Sequence, residues 1–331
     1  MSRYYADHTR SLRSELAASV SAEQLRGLHC KRPVLHFAIS FSLVAVLALS
    51  TAAIVSLDRW YFWLPLAIVS GFALFDFTVL LHEVVHRAVL TGKTDGAYRL
   101  IGALYAVPSG ISSTQFTRWH LDHHAALGSV LEDPKRHYLS PKINARWFKA
   151  LYFTPALFPI YFRAAKREAA SYEPQLRKTI NLERNLTILF HLSLLATVVY
   201  FFGWLIAWKA YLLPYFFVFP VAFALNRLGQ HYDINPDDPA NWSTLVKGSW
   251  FWDAAYLFSN YHVEHHYFPS VPFYNLPKLQ KLLMPFYERH GMVARGYGDL
   301  LWRYLVLNRK PHTDWDAAPA GVANVQPPAV G

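Results

Sequence analysis

The chain has 331 residues, of which 53% are hydrophobic and only 16% charged, with 11 Trp, 20 Tyr and 23 Phe. So apolar a composition excludes disorder as the main state and exceeds what one soluble core of this length buries. A single cysteine, Cys30, excludes a disulfide framework and a thiolate metal cluster, and a net charge of +10 on so apolar a chain points to a membrane protein with basic cytoplasmic loops rather than to a nucleic-acid binder.

Residues 1–33 are polar and charged, without the apolar core of a signal peptide, and are expected to form a cytoplasmic N-terminal segment. Residues 34–57 then give a 24-residue apolar run whose only strongly polar member is His36, long enough to cross a bilayer. After Asp58 and Arg59, residues 60–81 are apolar again except for Asp76, so a helical hairpin is expected. The Pro-broken stretches 100–111 and 150–163 are too short to cross and read as interfacial or re-entrant. A second pair of spans is expected at about 185–208 and 211–229, joined at Lys209 and Ala210. The predicted fold is therefore an all-α integral membrane domain over residues 34–310, with four transmembrane helices in two hairpins and a cytoplasmic helical cap. From 311 the Ala, Pro and Gly-rich tail is expected to be disordered.

Four spans return both termini to one side. Of the 32 Lys and Arg, only Arg59 and Lys209 fall in the hairpin connections, so the opposite face is expected to be cytoplasmic. Trp60, Trp63, Trp204 and Trp208 gather at the other ends of the spans, where an aromatic belt belongs.

The histidines cluster on that cytoplasmic side. His82 and His86 stand four apart in HEVVH, on one helical face. HLDHH supplies His120, His123 and His124, HVEHH supplies His262, His265 and His266, and His231 lies just beyond the fourth expected span. Interfacial histidines touching water and lipid headgroups are the plain alternative, but the topology, derived without them, brings all nine to one face. Neutral imidazole is a good ligand for iron, zinc, copper or nickel, and a catalytic zinc needs only three protein ligands. Nine exceed one metal's requirement, whereas two metals sharing them fit, and a pair of redox-active irons could bind O2 and attack an unactivated C–H bond. His36 and His191, single histidines in spans, read as structural. His29, His137, His290 and His312 lack ligand spacing and read as surface residues.

The three boxes, HxxxH, HxxHH and HxxHH, resemble those of the membrane-bound fatty acid desaturase and hydroxylase superfamily, over roughly residues 34–285. Asp133-Pro134 in LEDP matches the Asp-Pro that commonly follows the family's second box, and YFPSVPFYNLPKL (267–279) is similar to its FPSxPxxNLP continuation. The resemblance implies a di-iron site ligated by His82, His86, His120, His123, His124, His231, His262, His265 and His266, with O2 as co-substrate. Where acyl-CoA desaturases of the superfamily carry Asn four residues before the isolated His, this chain has Arg227, with Asn226 five before. The third box opens with His262 rather than the Gln of front-end desaturases, and no HPGG motif of a fused cytochrome b5 domain occurs. Electrons are thus expected from a separate ferredoxin or cytochrome b5 with its reductase. Asp76, Glu83, Asp122, Asn226 and Glu264 are the candidates for supporting the imidazoles from behind.

The expected function is O2-dependent desaturation of an acyl lipid or fatty acid that enters along the apolar faces of the spans from the membrane lipids. The same site could instead serve a lipid hydroxylase or ketolase, or a decarboxylase yielding a terminal alkene. A membrane zinc protease with Glu83 of HEVVH as base would leave both HxxHH boxes unexplained, and a non-catalytic metal-binding receptor is a third class.

Overall fold

The computed structural model describes residues 2–92 and 94–313, and these form helices and connections without a strand. In chain order the helices are α1 Tyr4–His8, α2 Arg10–Ser19, α3 Ala22–Leu28, α4 Pro33–Ser56, α5 Trp60–Val85, α6 Asp95–Ser109, α7 Ser113–Ala126, α8 Arg146–Leu151, α9 Leu157–Ala170, α10 Pro174–Ala207, α11 Phe219–His231, α12 Trp250–Ala255, α13 His262–Tyr267, α14 Leu276–Arg289 and α15 Tyr297–Leu301. The expected disordered tail lies outside the described residues from 314 onward. At its start His312 and Thr313 are buried.

Three helical stretches are long and apolar enough to cross a membrane: Pro33–Ser56, Trp60–Val85 and Pro174–His231. α5 is the central one, packed on several sides. At Gly71 a Cβ would collide with Val218, so this position lets the two helical backbones approach closely. α4 and α10 instead leave Phe41, Leu49, Leu189, Tyr200 and Phe201 exposed, an apolar surface of the kind a lipid phase covers.

The third stretch spans 58 residues, well beyond one bilayer thickness, and it turns back on itself. Gly203 adopts φ 77°, ψ 170°, a conformation essentially restricted to glycine. The return is fixed by His191, whose Nδ1 lies 2.6 Å from the Tyr211 hydroxyl and whose ring lies 4.8 Å from that of Tyr215. A straight helix would separate residues twenty apart by ~30 Å. The reversal therefore falls at Gly203, not at Lys209 and Ala210 as the charge pattern suggested. Lys209 is buried in the π-helical turn Trp208–Val218, and its Nζ donates to the Leu57 carbonyl at 3.1 Å. Its charge thus caps the α4–α5 connection rather than marking a connection of its own.

α6 and α9, with 15 and 14 residues, are the helices of the two short apolar stretches. The N-terminal segment docks against the rest: Leu12, Leu16 and Val20 are buried in one cluster with Leu279, Leu283 and Phe286 of α14. Their i, i+4, i+8 spacing was a legible amphipathic signal.

Candidate metal centre

Four helices deliver the nine histidines. His82 lies in the last turn of α5 and His86 caps it; α7 carries His120, His123 and His124; His231 ends α11; α13 carries His262, His265 and His266. The start of α7 is anchored by Glu183 of α10, whose carboxylate accepts from the Ser112 hydroxyl (2.6 Å), the Thr114 amide (2.9 Å) and the Thr114 hydroxyl (2.5 Å). A carboxylate at a helix N-terminus is also favoured by the helix dipole. α13 follows Leu257 and Phe258, which both hold positive φ, 43° and 62°. Such non-glycine conformations cost free energy and persist where surrounding packing fixes them. Here Asn260 and Tyr261 donate to Asp253 at 2.8 and 3.0 Å.

The structure brings all nine together in two groups, each with its ligand atoms within 4.8 Å of one another: His82, His86, His120, His124 and His265 in one, and His123, His231, His262 and His266 in the other. In the first, Nε2 atoms stand 3.0 Å apart for His82 and His265, 2.8 Å for His86 and His120, and 3.0 Å for His124 and His265. In the second, His231 Nε2 lies 3.0, 3.1 and 3.3 Å from those of His123, His262 and His266. A metal–nitrogen bond of ~2.0–2.1 Å places neighbouring ligand nitrogens ~2.8–3.4 Å apart in octahedral or tetrahedral geometry. The observed separations match such polyhedron edges, so the residues present fit a bound metal in each group. Burial pushes His120, His123, His124, His262, His265 and His266 well below the ordinary imidazole range, which keeps them neutral and their lone pairs free. The two groups adjoin: the rings of His124 and His266 lie 4.3 Å apart.

Behind the imidazoles, Asp133 Oδ1 lies 2.8 Å from His123 Nδ1, and the Trp242 carbonyl 3.0 Å from His231 Nδ1. Asp133 appeared in the sequence as half of the Asp-Pro pair, and this spacing alone does not reveal its contact. Glu83 Oε1 stands 3.7 Å from His82 Nδ1, while its Oε2 accepts the Phe273 amide at 3.0 Å. The remaining carboxylate and amide candidates have other hydrogen-bond partners or none among the described residues. Asp122 pairs with Arg118 at 2.6 Å, and Glu264 accepts from Tyr287 (2.7 Å) and Gln280 (2.8 Å), tying α13 to α14. Asn226 bonds Ser259 and Gln230, and Asp76 is buried with Oδ1 unpartnered among the described residues. His312, expected at the surface, is buried against Tyr232 and Tyr304, because the end of the described chain folds back over the segments that follow α11 and α15. His36 and His191 make structural contacts, to the Tyr105 hydroxyl (3.1 Å) and to the Val107 carbonyl (2.8 Å). His29 and His290 are only partly buried, bonded to the Leu25 carbonyl and Glu15.

A cavity reaches the histidines, with His82, His120, His262 and His265 in its wall. A second, largely apolar cavity shares Thr78, Phe116, Tyr161 and Phe223 with it and extends to Ser109 and Gly110. The two cavities adjoin at these shared residues.

The family model described as fatty acid desaturase matches residues 58–298. A sphingolipid delta(4)-desaturase-like protein of Oryza sativa subsp. japonica is 26% identical over 288 residues, 78% of this chain and 78% of that protein. A sphingolipid delta(4)-desaturase/C4-monooxygenase of Homo sapiens is 27% identical over 69% of this chain and 67% of its own length. An sn-1 acyl-lipid omega-3 desaturase (ferredoxin) of Synechocystis is 26% identical over 69% of each. With that match on three-quarters of its length, and with its apolar helices and histidine groups, the chain belongs to the fatty acid desaturase family of membrane oxidoreductases acting in lipid metabolism.

Proposed function

We propose that the protein is an O2-dependent desaturase of a fatty acyl or lipid chain, with one iron in each histidine group. The observation that carries the reading is the convergence of nine Nε2 atoms in two adjoining groups at polyhedron-edge spacing. In this reading the chain crosses the membrane four times, reversing near Arg59 and at Gly203, and holds the histidines and both termini on the cytoplasmic side, where a separate ferredoxin- or cytochrome b5-type donor reaches them. The domain runs from 34 to 310.

Two bound irons would supply the activation of O2 and the oxidising power that removes two hydrogens from the substrate. The chain's own residues do the rest. Asp133 and the Trp242 carbonyl fix which nitrogen of His123 and His231 carries the proton, so that Nε2 presents its lone pair. The four-histidine group is wholly buried, while His82, His86 and His124 of the other are partly open, which supports substrate approach from the five-histidine side. Phe75, Val79, Phe116 and Phe223 exclude water from that approach. The zinc protease reading is less well supported, because Glu83 turns one oxygen to the Phe273 amide and the other toward His82 Nδ1, and that reading leaves both HxxHH boxes unused.

Hydroxylation by the same site is favoured by one specific observation, the C4-monooxygenase in the name of the human relative. The experiment uses purified protein with ferrous iron, O2, a reductase and either donor, supplied with saturated acyl substrates deuterated along the chain. Loss of two deuteriums from adjacent carbons without added oxygen is the expected result. One oxygen atom retained from labelled O2 would replace desaturation with hydroxylation, and a terminal alkene one carbon shorter would replace it with decarboxylation.

A further inference from the structure

The cavity beside the histidines contains two cations that the metal ligation does not use. Lys135 and Arg227 both line it. Lys135 follows Asp133, the residue that holds His123, and Arg227 precedes His231 by one helical turn. Both cations therefore come from segments that position the four-histidine group. Among the described residues the Lys135 ammonium has neither a hydrogen-bond acceptor nor a carboxylate within 4.0 Å. Its polar contact with Asp133, at 3.0 Å, is made by its backbone amide. Arg227 donates Nη2 to the Ser140 hydroxyl at 3.0 Å and lies over the Phe223 ring, but it too meets no carboxylate. Glu83, the one carboxylate in the cavity wall, is engaged by the Phe273 amide.

Asp133, which attracts the Lys135 ammonium through space, is already engaged by His123, while Lys135 and Arg227 repel each other, and an arriving anion relieves that repulsion. Guanidinium and ammonium together suit a carboxylate. Phe75, Val79, Phe116, Leu139, Phe223 and Leu276 give the same wall an apolar part, and the second cavity adjoins it through Thr78, Phe116, Tyr161 and Phe223. We propose that Lys135 and Arg227 form a carboxylate-binding site, so that the substrate is an unesterified fatty acid held head-first beside the histidines with its tail in the aromatic cavity. This rests on the lipid-oxidising reading above and narrows it: the carbons presented to the histidines are those nearest the carboxylate.

The test measures binding rather than turnover, on iron-loaded protein kept free of oxygen at pH 6, below the value of about 7 to which burial lowers the Lys135 ammonium. Radiolabelled palmitate, methyl palmitate and hexadecyl phosphate are compared on wild type, Lys135→Met, Lys135→Gln and Lys135→Arg. The expected result is at least tenfold tighter binding of palmitate than of its methyl ester to wild type. That preference should disappear in Lys135→Met and Lys135→Gln with ester binding unchanged, and persist in Lys135→Arg. Unchanged ester binding also reports that a variant is folded, and the two neutral variants guard against one that is not. Equal binding of acid and ester to wild type, or an intact preference in both neutral variants, would overturn the proposal. Tighter binding of hexadecyl phosphate than palmitate would overturn the carboxylate assignment in favour of a phosphate head. A protein that discriminates acid from ester yet oxidises no lipid would instead count against the desaturase reading and leave the anion site standing.

Discussion

His123 and Asp133 meet Nδ1 to Oδ1 at 2.8 Å with both side chains buried. The carboxylate fixes the tautomer that leaves Nε2 free and restrains the ring about its Cβ–Cγ bond. Removing such a partner commonly costs ~10–100-fold in metal affinity. Asp133→Ala should therefore lower bound iron from two per chain toward one, and Asp133→Asn, which keeps an oxygen acceptor, should lower it less. Iron measured by inductively coupled plasma mass spectrometry on folded protein decides this. Two irons retained in Asp133→Ala would remove the residue from the centre's support.

The two groups differ in redundancy. The first has five donors and the second four, and His231 Nε2 lies within 3.3 Å of three others. His231→Ala should consequently lose more iron than His124→Ala and abolish activity. His86→Ala and His265→Ala should impair both iron content and turnover. His29→Ala, whose ring bonds only the Leu25 carbonyl of its own helix, should leave both unchanged. Full activity in His231→Ala would exclude it as a ligand.

Gly203 carries a topological constraint that can be tested by stability alone. At φ 77°, ψ 170° a side chain is strained by ~1–3 kcal/mol, although nothing lies within 4 Å of where a Cβ would stand. Gly203→Val should thus lower the melting temperature in detergent through backbone strain without a clash. Gly27→Ala, in helical backbone with equally open surroundings, should be neutral or slightly stabilising. Equal melting temperatures for Gly203→Val and wild type would mean that the chain turns elsewhere.

The contrast between these positions shows what a sequence exposes. Apolar runs announced α4 and α5, because length and hydropathy are properties of composition. The HxxxH and HxxHH spacings placed histidines on common helical faces, because 3.6-residue periodicity is local. Gly203 sits silently in an apolar run, since its role is a dihedral angle, whereas Lys209 drew the turn toward itself by its charge. Asp133, Phe273 and Lys135 escaped for another reason: the partners of the first two are 10 or more residues away, and the Lys135 ammonium has none within hydrogen-bonding reach among the described residues, so there is no period to read. The Phe-Pro-Ser motif after the third box does gain a physical account. The Phe273 amide of its continuation holds Glu83, and Asn275 donates to the Leu28 carbonyl at 2.8 Å, locking the connection between α13 and α14 to α5 and to the N-terminal segment.

Orientation is checked by a reporter. All but two of the 32 Lys and Arg lie outside the two connections expected from sequence, so a fluorescent protein fused after Gly331 should fold and fluoresce in the cytoplasm. Activity of a reporter only on the far side would invert the arrangement and remove the histidines from a cytoplasmic electron donor.

Chain length tests the path that the two cavities make. Ile111 belongs to the wall of the second cavity and not to that of the first, so a tail reaching past Phe116, Tyr161 and Phe223 meets it late. Ile111→Trp fills that space and should exclude about four methylenes. At ~0.8 kcal/mol per buried methylene, the longest chains lose ~3 kcal/mol of binding, on the order of a hundredfold, relative to chains that end before the obstruction. Phe158→Ala enlarges the same cavity and should move the preference toward longer chains. The measurement is competition among saturated acids of 10 to 18 carbons at equal concentration, with products resolved by gas chromatography and mass spectrometry. Opposite displacements in the two variants, with short-chain turnover kept in Ile111→Trp, would locate the tail in the second cavity. A length profile unchanged in both would place the substrate on another path.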